Sequence, residues 1–305
     1  MSKFFEALER SETEVALRSR ASSPRSTEDL AAAPAPEAPS VEVLPAAPRR
    51  FPRPVFEAPS TAINRVVGRS NRVETHLVSL LDPRSYEAEQ YRVLRYVVET
   101  LRKGNNLQVV AVTSPGVGDG KTTTAINLAG ALAQSVDARV LLVDIDIRRP
   151  AVARQMGLAT KRSLVATLLD ARLTLKDTVE HVAHFNLWVA PAGGPAGAPY
   201  EVLKSPRLEA LLDEARECYD YIVLDTPPCV PVPDCRVIAK YVDGFFLVVK
   251  AHRTPRGELA RALDLMDPQK VAGLVFNDDR VRRSSYYDVY AGPPRSPRRR
   301  LWRRP

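Results

Sequence analysis

Short runs that are almost entirely apolar recur through the middle of the chain: LQVVAVTS, RVLLVD, NLWVA, YIVLD, FFLVVK and VAGLVF. A strand with one wet face alternates apolar and polar residues. A run without alternation predicts a strand covered on both faces. Between the runs the period changes. From Tyr86 to Arg102, Tyr91, Leu94, Val98 and Leu101 recur at helical spacing after the helix-start signal DPRS. SPRLEALLDEAREC predicts a second helix, and an alanine-rich stretch after the first apolar run predicts a third. Buried strands alternating with helices predict an α/β domain, with a mainly parallel sheet covered by helices on both faces. There is no internal repeat. The glycine-rich PAGGPAGAP, residues 191–199, predicts a loop.

The pattern fades at both ends. Phe4 to Leu17 has the spacing of a short amphipathic helix, with Phe4, Phe5 and Leu8 on one side. A stretch rich in Pro, Ala and Ser follows, and such composition predicts a disordered linker. Core signals begin near Val73, so three segments are expected: an extension over 1–72, a folded domain over 73–280 and a flexible tail over 281–305.

Composition refines this picture. The chain has 305 residues, 45% hydrophobic and 26% charged, an ordinary composition with enough apolar residues for one sizeable core. It has no run of about 18 apolar residues to span a bilayer, and MSKFFEALER does not read as a signal peptide. The net charge of +8 is unevenly placed: 281–305 holds eight arginines against the single acid Asp288. The rest is close to neutral, so no nucleic-acid partner is expected, and the basic tail suits either contact with anionic lipid or solvent. Cys218, Cys229 and Cys235 lack the spacing of a disulfide framework or a metal pair, which fits a reducing cytoplasm. His76, His181, His184 and His252 are scattered and read as structural or surface groups.

The candidate chemistry sits at strand ends. TSPGVGDGKTTTAINLA follows the first predicted strand and opens a helix, the setting of a P-loop. Gly116, Gly118 and Gly120 would let the backbone approach phosphate, joined by the amides of Asp119, Thr122 and Thr123 at a helix N-terminus. Lys121 would reach the β- and γ-phosphates of ATP and Thr122 would bind Mg²⁺. One departure stands out: Pro115 occupies the position of the first P-loop glycine. RVLLVDIDIRRP then places Asp144 and Asp146 two residues apart, on one side of an extended backbone. Asp225 ends YIVLD, where a P-loop enzyme keeps the acid that holds its metal. One strand-end aspartate is an ordinary turn residue. Three at the carboxyl edge of a parallel sheet predict a site.

Together SPGVGDGKTT, VLLVDIDIRRP and YDYIVLDTPP resemble the bacterial protein-tyrosine kinase family, over roughly Val73 to Tyr290. These are P-loop ATPases associated with exopolysaccharide and capsule synthesis. The resemblance implies that Asp144 lies near the attacking tyrosine hydroxyl, that Asp146 helps hold Mg²⁺, and that Asn277 of VFNDD contacts adenine. It further implies that Glu89, Arg92 and Arg95 of EQYRVLR are similar to the E-x-x-R-x-x-R element through which such kinases assemble into rings. Asp234 also fits the family's run of motifs. A separate membrane activator of the polysaccharide co-polymerase type is implied as partner, with the chain cytoplasmic and recruited to the inner face of the membrane.

Tyr286, Tyr287 and Tyr290 stand in SSYYDVY, a stretch without apolar periodicity, and are expected to be phosphoacceptors. The catalytic set expected is thus Lys121, Asp144, Asp146 and Asp225, with Thr122, Asp146 and Asp225 about the metal. Two other classes compete. A partition or septum-positioning ATPase would carry a signature lysine where this chain has Gly116. A non-catalytic ATP-binding adaptor of an export complex is not separated from a kinase by sequence.

Overall fold

The computed structural model describes residues 73–159 and 161–279. The expected extension over 1–72 and the tail over 281–305 lie outside the described residues. The six expected strands form: β1 (Val109–Thr113), β2 (Val140–Asp144), β4 (Leu187–Ala190), β5 (Tyr221–Asp225), β6 (Gly244–Lys250) and β7 (Val271–Asn277). One more, β3 (Glu180–Val182), pairs antiparallel with β4 at the sheet edge. Sequence reading misses it because EHV is too short to show a period. The order is β3-β4-β2-β5-β1-β6-β7, parallel except for β3.

The unalternating runs bury both faces. Along β1, Val109 and Ala111 join one apolar core and Val110 and Val112 the other. Helices α1 (Tyr86–Asn105) and α2 (Lys121–Ala133) cover one face, and α3 (Pro206–Cys218) and α4 (Arg256–Asp264) contribute to the other. Helix α1 starts where DPRS predicts: the Ser85 hydroxyl accepts from the Ala88 N–H at 3.2 Å, with Glu87 and Glu89 in the first turn. It runs one turn past Arg102 and ends at Asn106, in left-handed backbone.

Helix α2 lies between α1 and the sheet and is buried along nearly its whole length. Its small residues make that possible. A Cβ at Gly130 would stand 2.6 Å from the end of the Leu80 side chain, so a larger residue there requires Leu80 to shift.

Candidate active site

The strand order gathers the chemistry. β2, β5 and β1 are neighbours, so their carboxyl ends bring Asp144, Asp225 and the loop 114–120 side by side. Asp144 and Asp225 are register partners across β2 and β5. This is the crevice outside the carboxyl ends of parallel strands, where α/β sheets bind ligands.

The loop ends at Gly120, the N-cap of α2, whose φ of 99° is strained for any side chain. A Cβ there would also stand 1.9 Å from the Asn277 amide nitrogen. Among the described residues, the backbone N–H groups from residue 117 to residue 123 donate to no partner within the chain. Such a run of free donors at a helix N-terminus is a cradle for phosphate oxygens. A cavity of about 590 Å³ flanks the loop, bordered by Gly116, Asp119, Pro231, Arg253, Thr254 and Glu258.

Lys121 holds the centre. Its ammonium donates to Asp146 Oδ2 at 2.7 Å and lies 3.6 Å from Asp225 Oδ1. Burial pulls its pKa down, but Asp225 and Asp146 outweigh burial and the net direction is up. Thr122 donates its hydroxyl to Asp225 Oδ2 at 2.7 Å. Asp144 behaves differently: its Oδ2 accepts from the N–H groups of Ala151 and Val152 at 3.0 and 3.1 Å. Burial, then the neighbouring Asp225, push the Asp144 carboxyl up to about 8 against those two amides. Asp225 is also pushed up by burial, with Lys121 and Thr122 pulling the other way.

Among the described residues, one buried oxygen of each of two site carboxyls, Asp144 Oδ1 and Asp225 Oδ1, makes no hydrogen bond. Asp146, Asp225 and the Thr122 hydroxyl, beside one ammonium and with an unsatisfied Asp225 oxygen next to the phosphate cradle, have the oxygen donors that would suit a divalent cation. Among the described residues no cluster of His, Cys, Asp and Glu forms an all-protein metal cage.

The remaining expected residues fall in several settings. Asn277 closes β7 and donates from Nδ2 to the Asp119 carbonyl at 2.9 Å, which puts it against the phosphate loop. Asp234 is fully buried and forms a two-pronged ion pair with Arg148, at 2.6 and 2.9 Å. Glu89 and Arg92 pair with each other on the outer side of α1, beside the exposed Val93 and Tyr96. Arg95 turns inward instead, donating to Glu99 at 2.7 Å and to the Ala131 carbonyl of α2 at 3.0 Å. Tyr286, Tyr287 and Tyr290 lie outside the described residues. Thr254 escapes sequence reading: its hydroxyl donates to Asp119 Oδ1 at 2.7 Å. A threonine before a proline reads only as a helix-start signal.

The family described as "AAA domain" matches residues 107–239, which hold the loop and all three aspartates. The chain is 30% identical to tyrosine-protein kinase YwqD of Bacillus subtilis, over 73% of this chain and 94% of that one. It is 32% identical to the succinoglycan biosynthesis transport protein ExoP of Rhizobium meliloti, over 69% of this chain but only 27% of that one. Among solved structures, the VpsO kinase domain is 35% identical, with a TM-score of 0.54, covering 63% of this chain and 98% of that one.

Proposed function

The chain belongs to the bacterial tyrosine-protein kinases, and from that premise we propose that it phosphorylates the tyrosines of its own tail, in trans, within a homo-oligomer that regulates polysaccharide synthesis or export. It binds ATP, as the family does. The observation that carries the reading is the meeting of a phosphate cradle with a buried, high-pKa carboxylate at one sheet edge.

Phosphoryl transfer asks a protein mainly for positioning and charge neutralisation. In this proposal the loop amides and Lys121 hold the phosphates. Thr122, Asp146 and Asp225 would hold Mg²⁺, whose charge would offset that of the transferring group. Asp144 orients the acceptor hydroxyl and takes its proton. A tyrosine with a pKa of about 10 carries its proton at neutral pH, so an acceptor of raised basicity is useful there. Asn277 would border the base of the nucleotide. Similarity to ExoP, a succinoglycan biosynthesis transport protein, supports a polysaccharide connection for this chain. A membrane partner at the inner face of a membrane belongs to the same proposal; among the described residues no helix is long and apolar enough to cross one.

The acceptors proposed are Tyr286, Tyr287 and Tyr290, which follow β7 in the sequence. Each phosphate would add about −1.5 to −2 charges, opposing the eight arginines of 281–305. The test mixes a Lys121→Met chain with an active chain whose three tail tyrosines are phenylalanine. Phosphate is expected on the tail of the Lys121→Met chain. If mass spectrometry finds none there while the wild type labels other residues, the tail is not the substrate.

The oligomer is proposed to form through the outer side of α1. Because Arg95 already ties α1 to α2, it is kept in the test. Glu89→Ala with Arg92→Ala is expected to shift sedimentation toward smaller species at unchanged Tm. An unchanged distribution would return the pair to an ordinary solvated ion pair, worth about 0.3–0.5 kcal/mol.

A further inference from the structure

The phosphate loop carries an acid of its own. Asp119 lies between two of the residues whose free N–H groups form the phosphate cradle, yet an aspartate there brings negative charge to an anion site. Its side chain is only 7% exposed and is turned away from the cradle by two contacts. Oδ2 accepts from the Gly116 N–H at 2.9 Å, and Oδ1 accepts from the Thr254 hydroxyl at 2.7 Å. Thr254 is itself fixed, since its hydroxyl accepts from the Lys250 N–H at 2.9 Å and its own N–H donates to the Lys250 carbonyl at 3.0 Å. From the other side, Asn277 Nδ2 holds the Asp119 carbonyl at 2.9 Å, and the Asn277 carbonyl accepts from Ala251 at 2.8 Å. The ends of β6 and β7 therefore grip one residue of the loop, at its side chain and at its backbone.

We propose that Thr254 is a positioning residue for ATP binding: it holds the Asp119 carboxylate out of the amide cradle, so that the free N–H groups of 117–123 face phosphate rather than the loop's own acid. Without the Thr254 hydroxyl, Oδ1 loses its partner, and the loop residues on either side of Asp119 carry free amides. A carboxylate that reaches them competes with phosphate for the donors and repels its charge. The effect runs through charge, which separates it from a packing defect in the turn 250–254. The inference rests on nucleotide binding alone and not on which tyrosine accepts phosphate.

The test measures the Kd for Mg-ATP by calorimetry in the full chain. Thr254→Val is expected to raise it about tenfold, the scale of one hydrogen bond to a charged group. Thr254→Ser keeps the hydroxyl and is expected to stay within about twofold of the wild type. Adding Asp119→Asn to Thr254→Val removes the competing charge and is expected to recover most of the loss, a strong non-additivity between touching residues. Thr254→Ala serves the same arm if valine disturbs the turn. A folded Thr254→Val with wild-type affinity overturns the proposal. So does a double variant as weak as the single one, because the loss would then come from packing. Failure of the wild type to bind ATP would instead strike at the nucleotide site as a whole.

Discussion

Lys121→Met is expected to abolish tyrosine phosphorylation and to weaken ATP binding strongly. Methionine keeps most of the stem and removes the ammonium, which is the cation closest to Asp146 and Asp225. The same ammonium is the proposed contact to the β- and γ-phosphates, so one substitution removes both functions. It also disturbs the nucleotide-free protein. Lys121 is 12% exposed, and removing one partner of a buried ion pair costs about 3–5 kcal/mol. The raised pKa of Lys121 fixes the sign: its stabilisation is fully present below its ordinary value of 10.5 and fades only as pH rises through the higher folded value. The variant should therefore show a lower Tm than the wild type at neutral pH. Unchanged ATP affinity together with unchanged phosphotyrosine, by calorimetry and mass spectrometry, would remove the basis of the phosphate-loop reading.

Asp144→Asn is expected to move activity and stability in opposite directions. Loss of an orienting base typically costs about 10²–10⁴-fold in turnover. The fold should tolerate the change, because an asparagine oxygen can accept from Ala151 and Val152 as the carboxylate does. Its amide would replace the oxygen that has no partner and remove a like charge beside Asp225. Because the folded pKa of Asp144 lies above its ordinary 3.8, at about 8, the folded chain binds more protons than the unfolded chain between those values. Wild-type stability contributed by this group is thus largest at acid pH and falls as pH rises toward 8. Asp144→Asn should flatten that fall and show the higher Tm near pH 8. In the wild type, kcat/KM should climb with pH as Asp144 gives up its proton, and the variant should lack that limb. Near-normal turnover in folded Asp144→Asn would end the assignment of Asp144 as base.

Much of this was legible in one dimension because the relevant rules are local. An apolar run without alternation is a strand covered on both faces wherever it lies, so six of the seven strands could be read directly. DPRS could be read because an N-cap and its helix are covalent neighbours, and Ser85 does cap α1. GDGKT declared a phosphate loop for the same reason: strand, turn and helix are contiguous. β3 was not legible, since three residues carry no period and the strand is defined by its pairing with β4.

Strand order belonged to the tertiary structure alone. LLVD and YIVLD each announce an acid at a strand end, but only the pairing of β2 with β5 makes Asp144 and Asp225 register partners, and burial there, with Asp225 alongside, drives the Asp144 carboxyl upward. The same holds for Thr254, which meets Asp119 across 135 positions because β6 lies beside β1. It holds too for Arg95, whose place in a charged stripe gave no sign that it would turn to the end of α2. Periodicity fixes which residues face a core; which partners they meet depends on how separate elements stack, and that choice is made by packing energy summed over the whole domain.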